Sequence, residues 1–270
     1  MAIEVTMPRL HSGQAEVFAN GARFRVLACG RRWGKTRLGV TMCIETASKG
    51  GRAWWIAPSY KLAAVGWRGV RNLAAQIPGV QIREGERLLT FPGGGTVQVR
   101  SADDPQSLRG EGLDFAVLDE CAYMKQEAWT EALRPALSDR KGGALFISTP
   151  RGLNWFRDLW LIGQQDKQTE WRSWSFKTVD NPFIDPAEIE AARAILPSRV
   201  FRQEYEADFM EDAPGALWKR TWIDAGRVLA APELRRIVVG VDPSASAAGD
   251  ACGIVAVGEA GEHLYPLEDA

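Results

Sequence analysis

The sequence predicts an α/β fold, a largely parallel sheet with helices on both faces, because short apolar, β-rich runs alternate with helix-like segments from Ala22 to about Phe176. A second observation is the change of character after Asp180, where Asn181-Pro182 and Asp185-Pro186 mark turns and the alternation stops. A third is composition: 46% hydrophobic and 25% charged residues in 270 positions suit a globular chain long enough for one large domain or two smaller ones.

The strands expected of the sheet are Phe24 to Ala28, Ala53 to Ala57, Leu113 to Leu118 and Ala144 to Ile147, each a short apolar run. Helices are expected between them over Thr36 to Ser48, Tyr60 to Gln76 and Gln126 to Leu137. Arg87 to Phe91 and Thr96 to Arg100 flank Pro92-Gly93-Gly94-Gly95 and read as a β-hairpin attached to the sheet. Two short helices, Ala187 to Ile195 and Ser198 to Asp208, follow the turns at 181–186. Pro214-Gly215 and Pro232 bracket a stretch with Trp218 and Trp222 that reads as a linker. A new sheet is expected from Arg236, with strands Ile237 to Val241, Gly253 to Val257 and His263 to Tyr265 joined in part by a small-residue turn through Gly249-Asp250. The expected organisation is therefore 1–178, 179–234 and 235–270, without internal repeats or low-complexity tracts.

A formal net charge of −1 provides no global basic field, so contact with nucleic acid has to come from a local patch. Cys29, Cys43, Cys121 and Cys252 form no Cys-x-x-Cys pair, which argues against a zinc site or disulfide framework and for a reducing compartment. Met1-Ala2-Ile3-Glu4 does not open a signal-like segment, and no apolar run approaches the roughly 18 residues of a membrane span. A cytoplasmic location is expected. Of the 11 tryptophans, Trp54-Trp55 sits in a strand and most others fit core or linker packing, so none is assigned to base stacking.

Gly30-Arg31-Arg32-Trp33-Gly34-Lys35-Thr36 lies between an expected strand and an expected helix, the context of a phosphate-binding loop. Backbone N–H groups and the helix start would hold phosphates, Lys35 would reach the β- and γ-phosphates, and Thr36 would ligate Mg²⁺. The usual first glycine falls on Cys29 and is displaced to Gly30. Downstream, Phe115-Ala116-Val117-Leu118-Asp119-Glu120 is an apolar strand ending in two carboxylates. Asp119 would hold Mg²⁺ through water, and Glu120 would orient and polarise the attacking water. A carboxylate pair at the carboxyl edge of a parallel sheet stands where open α/β sheets bind ligands, so nucleotide hydrolysis is expected.

Beyond these, Ser107-Leu108-Arg109-Gly110 precedes Leu113-Asp114 and Asp119-Glu120, Ser148-Thr149-Pro150 closes an apolar strand, and Asn181-Pro182-Phe183 is followed by Arg202-Gln203-Glu204-Tyr205 and Phe209. With the arginine-rich Arg31-Arg32-Trp33-Gly34-Lys35-Thr36, these resemble the Walker A, Walker B approach, coupling motif, and lid and linker of the large subunit of tailed-phage terminases. The resemblance runs from about Gln14 to Tyr265. It implies a P-loop NTPase domain of the RecA/ASCE type, a lid and linker, and the first strands of an RNase H-like nuclease domain.

The resemblance also implies residue roles. Gln14 would read the adenine edge, and Gly30, Arg31, Arg32, Trp33, Gly34, Lys35 and Thr36 would hold ATP. Arg31, within its own subunit, or Arg109, reaching a neighbour's nucleotide in a ring, would stabilise charge on the transferred phosphoryl, worth roughly 10³ to 10⁵ in rate. Thr149 would sense the γ-phosphate and relay its loss. Asp242 closes the apolar run Ile237 to Val241 and would ligate nuclease Mg²⁺ or Mn²⁺. Two-metal cleavage needs several carboxylates, and the family's others lie in later strands and a C-terminal helix, so the chain reads as truncated and its nuclease as incomplete. Residues beyond about Arg235 are then expected to pack poorly.

The implied activity is ATP-driven translocation of double-stranded DNA into a procapsid, gripping phosphates without sequence readout. The implied partners are DNA, a portal protein, a small terminase subunit and further copies in a homo-oligomeric ring, possible as a monomer in isolation, in the cytoplasm of a bacterial host. Two other readings compete: a helicase-like DNA-remodelling ATPase, which would lack the Asp242 segment, and a truncated, non-catalytic remnant.

Overall fold

A computed structural model describes residues 7–210, 222, 225–243 and 253–269, and the side chains of all these except 268 and 269. The chain forms two compact units, Met1–Glu211 and Asp212–Ala270. Pro214-Gly215, Trp218, the Gly249-Asp250 turn and Cys252 lie outside the described residues.

The first unit is built on an eight-stranded sheet. Its strands are β1 (Phe24–Cys29), β2 (Arg52–Ala57), β3 (Gln81–Arg83), β4 (Leu88–Thr90), β5 (Thr96–Ser101), β6 (Phe115–Asp119), β7 (Gly143–Ser148) and β8 (Trp171–Phe176), in the order β3-β4-β5-β2-β6-β7-β1-β8. The six from β5 to β8 are mutually parallel, while β3 and β4 add antiparallel at one edge. Parallel register brings the ends of β6, β7 and β1, at Asp119, Ser148 and Cys29, to a common rim. Strand β7 separates β6 from β1, so the end of β6 stands across one strand from the loop that follows β1.

The central strands read as unbroken apolar runs because both faces are covered. Leu27, Trp55, Val117 and Leu145 belong to one core cluster, with residues of α2 (Lys35–Ser48) and α3 (Tyr60–Ala74). Val26, Trp54, Ala116 and Phe146 belong to the other, with Trp129, Trp155 and Phe156. Alternation along β2 therefore sends the adjacent Trp54 and Trp55 to opposite faces. Trp55 fits because the helices over it offer glycine: a Cβ at Gly39 would sit 2.8 Å from its ring, and one at Gly66 would overlap its indole.

The parallel α/β sheet with helices on both faces is thus observed, with local differences. A helix α1 (Ser12–Ala19), strands β3 and β8, and a later helix at Trp155–Gly163 join the expected elements. The expected helix Gln126 to Leu137 contains a π-helical stretch, Ala128–Leu133, which runs into α4 (Arg134–Ala136). Pro135 has no N–H to give the Glu131 carbonyl, and a widened turn accommodates the missing bond. After α5 (Trp155–Gly163) and α6 (Pro186–Ile195), α7 (Ser198–Tyr205) stops short of Asp208, and Ala207 has φ +58°.

The second unit holds an antiparallel sheet of β9 (Arg236–Asp242), β10 (Gly253–Ala260) and β11 (His263–Asp269), in the order β11-β10-β9. The apolar side chains of β9 are exposed: Ile237 and Val239 are each 57% exposed, and their neighbour Val238, which points to the other face, is 49% exposed.

Candidate active site

Strand β1 delivers the chain into a tight loop, 30–34, that feeds α2. Gly34, the N-cap of α2, has φ +108°, a backbone region that favours glycine. Gly30 is required by close approach, since a Cβ there would lie 2.5 Å from Thr178 Oγ1 and 2.6 Å from the Tyr205 carbonyl. Trp33 points away from solvent: it is fully buried, stacked on Phe176 at 4.7 Å between centroids and met edge-on by His11 at 4.8 Å.

Lys35 opens α2, yet its side chain is only 7% exposed. Its ammonium donates to the carbonyls of Cys29 (3.1 Å) and Gly30 (3.3 Å) and lies 3.4 Å from Thr149 Oγ1. The buried Thr149, just past the end of β7, thereby meets the loop lysine directly. Thr36 follows in the first turn of α2, half-buried.

Asp119, at the end of β6, is also 7% exposed. Its pKa is pushed up to about 7, chiefly by desolvation and secondarily by the neighbouring Glu120 charge, with Lys35 opposing. Glu120 adopts a left-handed conformation, φ +50°, that turns the chain out of the strand. The buried Ser148 hydroxyl accepts from the Ala122 N–H at 3.3 Å and lies 3.3 Å from Glu120 Oε2 and 2.9 Å from the Thr149 carbonyl. Its single proton can go to one of those two oxygens at a time.

The structure brings Lys35, Asp119, Glu120 and Thr149 together, and places the other residues singled out by sequence around or away from them. Arg31 is largely exposed, and its guanidinium is paired with Glu204 of α7; that carboxylate, helped by the charge of Glu120, favours the cationic form further. The Arg31 N–H donates to the Glu204 carbonyl at 2.6 Å, while the Arg32 side chain is exposed. Gln14 lies in α1 beneath the loop, 1% exposed. Its Oε1 accepts from the His11 N–H at 3.1 Å and its Nε2 donates to the Gly34 carbonyl at 2.9 Å. Arg109 follows a short 3₁₀ turn, Pro105–Leu108, half-exposed, and its guanidinium is engaged by Glu131 at 2.9 Å. Asp242 stands in the other unit, exposed at the end of β9.

Other residues at the site carried no individual role in the sequence reading: Ser148 beside Glu120, Glu204 against Arg31, and His11, Thr178 and Asn181 against the loop. Ser148, Asn181 and Glu204 stand in runs that carry the resemblance, and the three-residue spacing from His11 to Gln14, that of a capping box, is a further local signal. Burial pushes the thiols of Cys29, Cys43 and Cys121 well up, so these three stay protonated near neutral pH.

Chemically, the rim offers a buried ammonium and loop N–H groups suited to polyphosphate, a buried carboxylate suited to a divalent cation, and a second carboxylate free to act on water. Asp119 suits a divalent cation, because a buried carboxyl with a raised pKa gains from a cation that compensates its desolvation.

A family model described as "Terminase large subunit, T4likevirus-type, N-terminal" matches residues 26–225. The chain is 34% identical over 192 residues to the terminase large subunit of Escherichia phage T5, an alignment covering 69% of this chain and 44% of that protein. The large terminase ATPase domain of Thermus phage P74-26 superposes with a TM-score of 0.66 at 31% identity, covering 75% of this chain and 94% of that one. The large terminase of another thermophilic bacteriophage, in complex with ATP-gamma-S, shares the fold at 14% identity and a TM-score of 0.60, over 96% of this chain and 67% of that one. The chain spans about half the length of the curated relatives it matches.

Proposed function

The chain belongs to the terminase large-subunit family, and from that premise we propose that its first unit is the Mg²⁺-dependent ATPase of a DNA-packaging motor. The observation that carries this reading is the meeting of Lys35, Thr149 and the Asp119-Glu120 pair at one rim of the sheet.

In this reading Lys35 gives up the Cys29 and Gly30 carbonyls for the β- and γ-phosphates of ATP, so its desolvated charge is offset in either state. Asp119 and Thr36 hold magnesium, which when bound neutralises phosphate charge. Glu120 orients the attacking water and accepts its proton. Ser148 steadies the Glu120 carboxylate from β7, and Thr149, in contact with Lys35, registers loss of the γ-phosphate at the end of the same strand. Either Arg31 in its own subunit or Arg109 from a neighbouring copy supplies positive charge to the transferred phosphoryl.

Coupled to DNA, this cycle would translocate the duplex into a procapsid, gripping its phosphates without reading sequence. The partners are a portal protein, a small terminase subunit and further copies in a ring, in the cytoplasm of the bacterial host. Joined by the further carboxylates that two-metal cleavage needs, Asp242 would serve a metal-dependent (Mg²⁺ or Mn²⁺) endonuclease.

Steady-state phosphate release tests the site. The parent is expected to turn over ATP, Lys35→Ala to lose binding, and Glu120→Gln to lose at least about 10²-fold in kcat, the low end for a positioned general base. Turnover undiminished in both variants would remove the proposed site.

A further inference from the structure

From Arg31 to Gly34, every carbonyl of the phosphate loop is held by a side chain from outside the loop. Thr178 Oγ1 donates to the Arg31 carbonyl at 2.8 Å and Asn181 Nδ2 to the Arg32 carbonyl at 2.6 Å. His11 Nε2 bonds the Trp33 carbonyl at 2.9 Å, and Gln14 Nε2 donates to the Gly34 carbonyl at 2.9 Å. The four donors come from two places, the N-cap and first turn of α1 and the turns after β8, and each is less than 9% exposed.

The surrounding bonds fix which atoms donate. His11 Nδ1 accepts the Gln14 N–H at 3.4 Å, so the ring proton sits on Nε2 and faces Trp33. Gln14 Oε1 accepts the His11 N–H, which turns its amide nitrogen toward Gly34. Likewise Asn181 Oδ1 accepts the Phe183 N–H at 3.0 Å and leaves Nδ2 for Arg32.

In a planar trans peptide the carbonyl and the next residue's N–H point in opposite directions. Holding the carbonyls of residues 31–34 therefore sets the directions of the N–H groups of residues 32–35. That of Trp33 turns to the Gly30 carbonyl at 3.4 Å, and those of Arg32, Gly34 and Lys35 are aimed by the outside bonds. Such N–H groups are what a polyphosphate requires. Without help the backbone would resist this shape at Arg32, a non-glycine residue held at φ +62°.

We propose that His11, Gln14, Thr178 and Asn181 are positioning residues that pre-orient the phosphate-binding N–H groups, and that Gln14 acts on the loop rather than on the base. The proposal rests on the nucleotide-binding reading above. Its consequence is that loss of any one of the four weakens binding of the phosphates whatever base they carry, because the loop must then be ordered at the expense of binding.

Calorimetric titration of the full 270-residue chain with ADP and with inorganic tripolyphosphate tests it, using Gln14→Met and Asn181→Leu as near-isosteric, uncharged variants. Each is expected to weaken both probes by a similar factor, roughly three- to tenfold for the lost hydrogen bond to the loop carbonyl, with the number of sites per chain unchanged. Weaker ADP with unchanged tripolyphosphate would assign Gln14 to the base and overturn the proposal. Fewer sites at parental affinity would mark a folding defect and overturn it equally. Lys35→Ala separates the two readings: if it abolishes binding while the other variants match the parent, only the positioning role falls. If the parent binds neither probe, the nucleotide-binding reading itself falls.

Discussion

Asp119 titrates near neutrality because it has been taken out of water beside another carboxylate, and this has a measurable cost. With an ordinary pKa of 3.8 when unfolded and about 7 when folded, it binds its proton more tightly in the native state. The stability it contributes is fully present below pH 3.8 and is lost as pH rises through 7. Asp119→Asn removes the titration while keeping the shape. Without magnesium, the variant is expected to gain on the parent by roughly 2–4 kcal/mol between pH 4 and pH 8, read by urea unfolding. A difference that does not change with pH would contradict the burial of this charge. Lys35, Asp119, Glu120 and Thr149 were legible as site candidates because each sits in a recognisable run at the end of an apolar strand. Thr178 and Glu204 were not, since they reach the loop across 147 and 173 residues of sequence and no local pattern encodes such a pairing.

At the scale of elements, strands buried on both faces announce themselves as apolar runs, and β1, β2, β6 and β7 could be read directly. The edge strand β8, Trp-Arg-Ser-Trp-Ser-Phe, mixes exposed and buried positions, and β3 has only three residues, so neither carries that signal. Helix α1 is short and has glycine at its second position, which masks it. The contact of α3 with β2 gives a test of packing. Gly66→Ala should help an isolated helix by about 1 kcal/mol. Here the added methyl overlaps the fully buried Trp55, which Gly39 confines from α2, and overpacking costs about 1–3 kcal/mol or more. The net effect is expected to be destabilising, with a thermal midpoint several degrees lower by calorimetry. A rise in the midpoint would show that Trp55 has room to move.

Over the whole molecule, the α/β class was legible, and so was a separate sheet after Arg236, whose first strand carries exposed apolar side chains. The extent of the proposed machine was not, because a net charge of −1 hides any local DNA-binding surface. If the chain grips duplex DNA by its phosphates, affinity for an arbitrary duplex should fall on the order of 10- to 100-fold between 50 and 200 mM salt, with little sequence preference, in a fluorescence-anisotropy titration. A salt-insensitive, sequence-selective complex would contradict the motor reading. The central claim is narrower: a single triphosphate sits between Lys35 and the Asp119-Glu120 pair, and Glu120 is needed only for its cleavage. The most direct measurement is rapid filtration of γ-labelled ATP with Glu120→Gln in the presence of magnesium. The account predicts about one uncleaved ATP retained per chain, and none when Lys35→Ala is added; label released as phosphate at the parental rate, or retention that survives Lys35→Ala, would contradict it.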